Sequence, residues 1–349
     1  MTSATVPQGG FARTYRDRQV MVLGASGFVG RWVARALTDA GARLTLVVRT
    51  LESSRRLFDS MGIQGDIRQV DLHDGGAIQA LFHDIRPSVT FNLAGYGVDH
   101  TERDRDESFS LNTELVRVLC RHAAEHAEDW NGLTLVHTGS ALEYGGASGD
   151  LHEGTTPAPT TVYGQSKLEG TLAVQRACRA TPLRAVVARL FTVYGAGEHD
   201  GRLLPALLES AGAGRALPLT TGNQLRDFTY VEDVASGLLR LGTIQAASGL
   251  VVNLATGKLL SVRDFALQTA QVLRLDEGLL KFGQLPVRQE EMTHKPVNIN
   301  RLTALTGWRP PSDIATGVAR TLASLEKRGG GTPHPADEGI AQSSTIKPA

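Results

Sequence analysis

One short stretch constrains the fold of this chain more than any other. An apolar run, Val20–Leu23, leads straight into Gly24-Ala25-Ser26-Gly27-Phe28-Val29-Gly30, and an amphipathic segment follows. A strand that ends on one glycine and a helix that opens beside another make the first turn of a β-α-β unit. The glycines allow a tight turn and a close backbone approach to a ligand. The unpaired N–H groups at the helix amino end favour an anion there. The spacing is Gly-x-x-Gly-x-x-Gly rather than Gly-x-Gly-x-x-Gly. A strand before it and a helix after it favour a pyrophosphate loop over an ordinary turn. Gly24, Ser26, Gly27, Phe28, Val29 and Gly30 are therefore the first candidate cofactor contacts.

The same rhythm continues along the chain. Short β-branched runs at Arg43–Val48, Asp66–Val70, Val89–Leu93, Leu133–Thr138 and Arg184–Leu190 join Val20–Leu23 as six expected strands. Helical stretches are expected at Val29–Ala40, Gly76–Ile85, Glu107–His126 and Val162–Ala180. This alternation predicts an α/β fold, a Rossmann-like doubly wound parallel sheet covered on both faces.

After Leu190 the pattern loosens into a loop at Gly195–Gly201, a helix at Leu203–Ala211 and a short strand at Arg226–Val231 leading into another helix. A return strand at Val251–Leu254, a helix from Ser261, and pieces at Leu302–Leu305 and Ala315–Leu325 complete the ordered part. The expected organisation is a flexible segment over 1–18, a dinucleotide-binding core over 19–190 and a smaller mixed α/β substrate lobe over 191–327. Residues 328–349, rich in Gly, Pro, Ser and Thr, are expected to form a disordered tail.

The chain carries 36 basic and 36 acidic residues, so no global charge argues for nucleic acid or an anionic membrane. No apolar run approaches the ~18 residues of a membrane span, and the polar Met1–Arg18 stretch does not resemble a secretory signal. Cys120 and Cys178 read as unpaired thiols of a reducing cytoplasm. The ten histidines show no metal-ligand spacing, so no metal is expected.

Further cofactor contacts are expected at the carboxyl ends of later strands. An NAD site usually places an acid at the end of the second strand for the ribose hydroxyls, whereas a 2′-phosphate calls for a cation. Here Val47-Val48 runs into Arg49, with Arg55 and Arg56 beyond, which favours NADP(H) and leaves NAD(H) as the alternative. Asp71, beside Leu72 at the end of the third strand, is placed to bond an adenine amino group. Leu93-Ala94-Gly95 closes the fourth strand.

Tyr163 and Lys167 lie four residues apart on an expected helix, so both project from one face. A free phenol loses its proton near pH ~10, and bringing that to neutrality takes roughly 4 kcal/mol. One cation about 6 Å away at an effective dielectric of about 20 supplies roughly 2.8 kcal/mol. Lys167 together with an oxidised, charged nicotinamide would therefore suffice. Ser140, at an upstream strand end, supplies a hydroxyl to hold the reacting oxygen. Ser140, Tyr163 and Lys167 are the catalytic candidates.

With these residues assembled, the chain resembles the extended short-chain dehydrogenase/reductase family, also called the NAD-dependent epimerase/dehydratase family, and within it enzymes of nucleotide sugars. The resemblance runs from about Val20 to about Leu325. It rests on the Gly loop, Asp71-Leu72, Asn92-Leu93-Ala94-Gly95, Asn112, Ser140 with Tyr144-Gly145, and Tyr163/Lys167. Arg189-Leu190-Phe191-Thr192-Val193-Tyr194-Gly195, Arg226-Asp227-Phe228-Thr229-Tyr230-Val231 and Gly307-Trp308-Arg309-Pro310 extend it. It implies a homodimer and a nucleotide-diphosphate sugar substrate. Arg226 and Arg288 stand where the family grips the diphosphate, and Thr192 and Arg202 are further substrate candidates.

Departures from the family pattern narrow the chemistry. Ala141-Leu142 stands where the dehydratases carry Asp-Glu, and Glu143 is displaced by one position. Leu142 and Arg202 stand where the 3,5-epimerases carry a cysteine and a histidine. What the resemblance leaves is NADPH-dependent reduction of a 4-keto-(6-deoxy)sugar nucleotide, favoured by Arg49. The alternatives are an NAD-dependent 4-epimerase and a non-catalytic NAD(P)-sensing protein.

Overall fold

In the computed structural model, residues 13–98, 102, 104–125, 130–246, 248–287 and 293–329 are described. Their centre is a seven-stranded sheet formed by β1 (Gln19–Leu23), β2 (Arg43–Val48), β3 (Asp66–Gln69), β4 (Val89–Asn92), β5 (Leu135–Ser140), β6 (Ala185–Leu190) and a late strand, Leu250–Leu254. Every pairing is parallel, and the spatial order is Leu250–Leu254, β6, β5, β4, β1, β2, β3. The return strand expected at Val251–Leu254 is thus an edge of the main sheet, paired with β6.

Both faces of the sheet are covered because successive side chains alternate. Val20 and Val22 enter one core with Val33, Leu37, Phe58, Val234 and Leu238. Met21 and Leu23 enter the opposite core with Ile78, Phe82, Leu119 and Val174. This is the period-2 consequence of an extended chain buried on two sides. The helices are α1 (Phe28–Asp39), α2 (Leu51–Met61), α3 (Gly75–Ile85), α4 (Arg105–Phe109), α5 (Leu115–Glu125) and α6 (Val162–Ala180).

Several expectations are corrected. The stretch Glu107–His126 is not one helix: α4 and α5 are joined by a π-helical turn at Ser110–Glu114, and His126 lies outside the described residues. The strand expected at Leu133–Thr138 is shifted to Leu135–Ser140. The Leu133 and Thr134 amides bond instead to the carbonyls of Gly242 and Arg184. Helix α2 was not anticipated, because its inner face of Leu51, Ser54, Phe58 and Met61 includes a buried serine that weakens the apolar pattern. Of the segment expected to be flexible over 1–18, residues 13–18 are described, and Tyr15 among them packs into the core. Tyr15 is fully buried, donates its hydroxyl to the Leu239 carbonyl at 2.6 Å and packs beside Phe91 and Trp130.

The second lobe is made of short strand pairs. β7 (Thr192–Tyr194) pairs with β10 (Phe228–Tyr230), β8 (Leu217–Leu219) with β13 (Leu280–Phe282), and β9 (Leu225–Arg226) with β12 (Leu260–Ser261). The expected strand Arg226–Val231 is split at Asp227, whose two flanks pair with different partners, and Val231 already belongs to the next helix. Helices α7 (Leu203–Ala213), α8 (Val231–Gly242), α9 (Val262–Leu273), α10 (Asn300–Thr306) and α11 (Ile314–Gly329) complete the fold. The lobe has its own core, in which Phe228 stacks on Phe265 at 4.2 Å and Tyr194 meets Phe265 edge-on at 5.2 Å. Helix α11 runs to Gly329, so the tail expected from 328 begins no earlier than residue 330, beyond the described residues.

Candidate active site

The chain leaves β1 outward to β2 and β3, then returns to place β4 on the other side of β1. Ligands of open α/β sheets lie at this switch point, beyond the strand carboxyl ends. There Gly24 has φ +71°, and a Cβ on it would lie 2.8 Å from the Ala94 nitrogen and 2.9 Å from Leu93. A Cβ on Gly30 would lie 2.0 Å from the Gly24 carbonyl oxygen. The loops after β1 and β4 are therefore locked backbone to backbone, also through Leu93 N–H to Leu23 O at 3.1 Å. Gly27 is the N-cap of α1 and provides no side-chain cap, and no acidic residue fills the first turn. This side-chain-free cradle under an uncapped helix end suits the pyrophosphate of a dinucleotide.

At the end of β2, Arg49 is exposed, and Arg55 and Arg56 are exposed on α2. Arg56 forms only a surface pair with Glu52 at 3.7 Å. Asp71 and Leu72 follow β3 as expected, but the Asp71 carboxylate is already engaged. It accepts the His73 amide at 3.0 Å and meets His73 Nδ1 at 2.8 Å, while His73 Nε2 reaches Glu107 at 2.9 Å. Those two carboxylates hold the His73 imidazole above its usual pKa.

Ser140, Tyr163 and Lys167 come together. Ser140 is the last residue of β5, and its Oγ accepts the Leu142 amide at 3.2 Å and hydrogen-bonds the Tyr163 phenol. Tyr163 and Lys167 lie on the first two turns of α6, capped by the Thr161 hydroxyl. Gly95 and Gly97 carry the β4 loop across this helix: their Cβ positions would lie 3.5 Å from Lys167 Nζ and 2.9 Å from Tyr163 Cδ2. Asn112 holds that loop in place. Its side chain accepts the Tyr96 amide at 3.1 Å and donates to the Tyr96 carbonyl at 2.7 Å and to Ser166 Oγ at 2.9 Å. The π turn around Asn112 aims this amide at the loop.

The electrostatics differ from the sequence expectation in one respect. Burial pushes the Tyr163 phenol up; the Ser140 hydrogen bond and Arg202 act downward, while Glu143 and Glu102 act upward. Lys167, expected to lower the phenol, is not among the groups that act on it, and burial also lowers Lys167 itself to about 8, against the support of Glu143. In the protein alone Tyr163 is firmly protonated.

The substrate candidates are brought together only in part. Arg202, N-cap of α7, is close enough to act on Tyr163, and its Nε lies 3.6 Å from Glu198. Burial raises that Glu198 carboxyl to about 7, with Arg202 opposing. Thr192 opens β7, its amide bonded to the Asp227 carbonyl at 3.0 Å. Arg226 is half-buried beside His294, and the adjacent Asp227 is anchored by the amides of Thr256, Gly257 and Lys258. Arg288 lies outside the described residues. Sequence reasoning missed Arg31, which folds over the glycine loop onto the Ser26 and Gly27 carbonyls at 2.9 and 3.1 Å. It also gave no role to Gly97 or Glu198. The signal available was only their place in the motifs' flanks. Among the described residues no metal-ligand cluster occurs, and no helix is long and apolar enough to cross a membrane.

Residues 20–255 match the sequence profile of the NAD dependent epimerase/dehydratase family. Over 257 residues the chain is 30% identical to a dTDP-6-deoxy-L-talose 4-dehydrogenase (NAD(P)(+)) of Kitasatospora kifunensis, covering 70% of this chain and 76% of that one. Solved structures share the fold, two of them as follows. The epimerase Mth375 of Methanothermobacter thermautotrophicus superposes with a TM-score of 0.79 at 22% identity, covering 91% of this chain and 94% of its own. The UDP-glucuronic acid 4-epimerase of Bacillus cereus, solved with UDP-glucuronic acid and NAD, gives 0.77 at 21% identity, covering 88% and 99%.

Proposed function

The chain belongs to the NAD dependent epimerase/dehydratase family, and from that premise we propose that it reduces a nucleotide-activated 4-keto-(6-deoxy)sugar to the 4-hydroxy sugar with NADPH. The observation that carries this reading is the convergence of Ser140, Tyr163 and Lys167, with the serine and lysine buried and the half-buried phenol hydrogen-bonded to Ser140 and held protonated. Reduction of a carbonyl needs a proton donor at oxygen, and a desolvated phenol is in the correct form before the reaction begins. The K. kifunensis relative, whose name places its chemistry at C4 of a dTDP-6-deoxysugar with NAD(P), supports the same substrate class.

In this reading a bound nicotinamide would supply hydride to the sugar carbon. Ser140 holds the carbonyl oxygen through its hydroxyl, and Tyr163 gives that oxygen its proton. Lys167 stabilises the phenolate left behind and binds the cofactor ribose. Gly24, Ser26, Gly27, Phe28, Val29 and Gly30 would hold the pyrophosphate, Leu93-Ala94-Gly95 would line the cofactor, and Asp71-Leu72 would hold the adenine. Arg49 would meet the 2′-phosphate, which is the ground for NADPH over NADH. Arg226 and Arg288 would grip the sugar-nucleotide diphosphate, with Thr192 and Arg202 near the sugar.

The test is initial-rate kinetics with dTDP- and UDP-linked 4-keto-6-deoxyglucose and both reduced cofactors. The reading expects NADPH oxidation coupled one-to-one to a 4-hydroxy product. Protein that retains NAD through purification and interconverts C4 epimers without net cofactor consumption would assign it to 4-epimerisation instead. The reading also carries a cytoplasmic homodimer, so the species in solution should have twice the 37.3 kDa chain mass.

A further inference from the structure

Directly behind Ser140 lies a buried ion pair that the proton-transfer scheme does not use. Glu143 is fully buried and Arg189 nearly so, with Arg189 Nε 2.8 Å from Glu143 Oε2. Glu143 Oε1 accepts the Ser140 amide at 2.8 Å, and Oε2 also accepts the Thr171 hydroxyl at 2.9 Å. One carboxylate thus ties together three elements: the end of β5 at Ser140, the body of β6 at Arg189, and α6 one turn beyond Lys167. The Arg189 guanidinium lies over the Tyr144 ring at 4.4 Å, and Tyr144 in turn donates its hydroxyl to Asn253 at 2.8 Å. The fit leaves no slack, since a Cβ on Gly139 would lie 2.4 Å from Glu143 Oε1.

Stability alone does not account for such a pair. Desolvating two charges costs several kcal/mol per ion, and well-packed apolar replacements of buried pairs are often neutral or stabilising. What an apolar replacement would lack is an acceptor for the Ser140 amide and a fixed negative charge next to α6.

We propose that Glu143 is a positioning residue of this active site, its carboxylate fixing Ser140 through the strand-end amide and, through Thr171, setting a negative charge beside the helix that carries Lys167. Arg189 holds that carboxylate in place, and Thr171 registers it against the catalytic helix. The inference rests on the reading of Ser140, Tyr163 and Lys167 as the proton-transfer group. The groups that act on Lys167 are Glu143, which supports its charge, and the buried neutral His137 on β5. Those that act on Tyr163 are Ser140, Glu143, Arg202 and Glu102. Loss of the Glu143 charge therefore moves the Lys167 midpoint downward from about 8, narrowing the pH range in which Lys167 is charged.

The experiment is a 13Cε-lysine NMR titration of the cofactor-free full chain, with the Lys167 signal assigned by its absence in Lys167→Met. Glu143→Gln should lower the Lys167 midpoint by at least about half a pH unit, and the double variant Glu143→Gln/Arg189→Leu, which also removes the opposing positive charge, should move it in the same direction by a smaller amount. Thr171→Val, which removes a tether but no charge, should leave it within about 0.2 unit. In parallel, Glu143→Gln should lower kcat for NADPH-driven 4-keto reduction at least about tenfold with KM for NADPH unchanged. The double variant decides the matter if the single one does not fold, because it leaves no buried charge unpaired. A folded variant lacking the Glu143 charge but keeping the wild-type Lys167 midpoint overturns the inference. If wild type reduces no 4-keto sugar while the midpoint moves, the functional reading fails and the electrostatic role of Glu143 stands.

Discussion

The two halves of the molecule build their candidate binding surfaces by different means. The sheet half makes its cradle from backbone: Gly24, Gly30, Gly95 and Gly97 are sites where a single added carbon would collide with main chain or with the side chains of Asn112 and Tyr163. The second lobe presents long side chains instead, Arg202 at a helix N-terminus held by Glu198 and Arg226 on a two-residue strand beside a firmly anchored Asp227. A surface made of backbone is rigid and specific for a shape that many ligands share. A surface made of arginines is set by a few rotamers, so it is where one family member would differ from another in substrate.

The largest effect should come at the junction of the halves. Tyr163→Phe removes one hydroxyl and should reduce kcat by about 10²–10⁴-fold, with the dissociation constant for NADPH essentially unchanged in fluorescence titration. Near-normal turnover would mean that the proton comes from elsewhere, with Glu198 the next group to test. Next in size is Arg226→Ala, which should raise KM for the sugar nucleotide roughly ten- to a hundredfold and leave KM for NADPH alone. Equal effects on both would make Arg226 a structural residue and erase the division of labour between the halves.

The mirror experiment is Arg49→Asp, which repels a 2′-phosphate and offers an acceptor to free ribose hydroxyls. The NADPH/NADH ratio of kcat/KM should fall at least about tenfold, with the sugar nucleotide KM unchanged. Arg55 and Arg56 nearby would blunt the change if they share the phosphate. The smallest effect is in pH dependence. Reduction needs Lys167 charged, and burial has lowered it to about 8, so kcat/KM for reduction should decline a few-fold as pH rises through 8. Tyr163, pushed upward, stays protonated across that range and should contribute no second limb.

The halves also differ in how far the sequence revealed them. The six early strands follow from the β-α rhythm and from period-2 patterning in the five that bury apolar side chains, whereas β3, half-buried only at Ile67, shows little of it. Helix α2 escaped because its inner face is closed by Ser54 rather than a large apolar side chain. In the lobe, two- and three-residue strands such as Leu225–Arg226 are too short to show any period, and the break at Asp227 is fixed by distant amides of residues 256–258. Within the site, Ser140, Tyr163 and Lys167 were legible from motif spacing, while the work of Asn112 and Glu143 was not. Asn112 acts through Tyr96 and Ser166, 16 and 54 positions away, and Glu143 is held by Thr171 and Arg189, 28 and 46 positions away, which no local pattern records.

The most direct test of the 4-keto reduction is isotopic. With NADPH deuterated at the transferable nicotinamide C4 position and dTDP-4-keto-6-deoxyglucose, the product is examined by mass spectrometry and 1H NMR. The account predicts one deuterium at sugar C4 and one NADP+ formed per product molecule, abolished in Tyr163→Phe. Conversion without deuterium at C4, or inversion at C4 with no net NADPH oxidation, would contradict it.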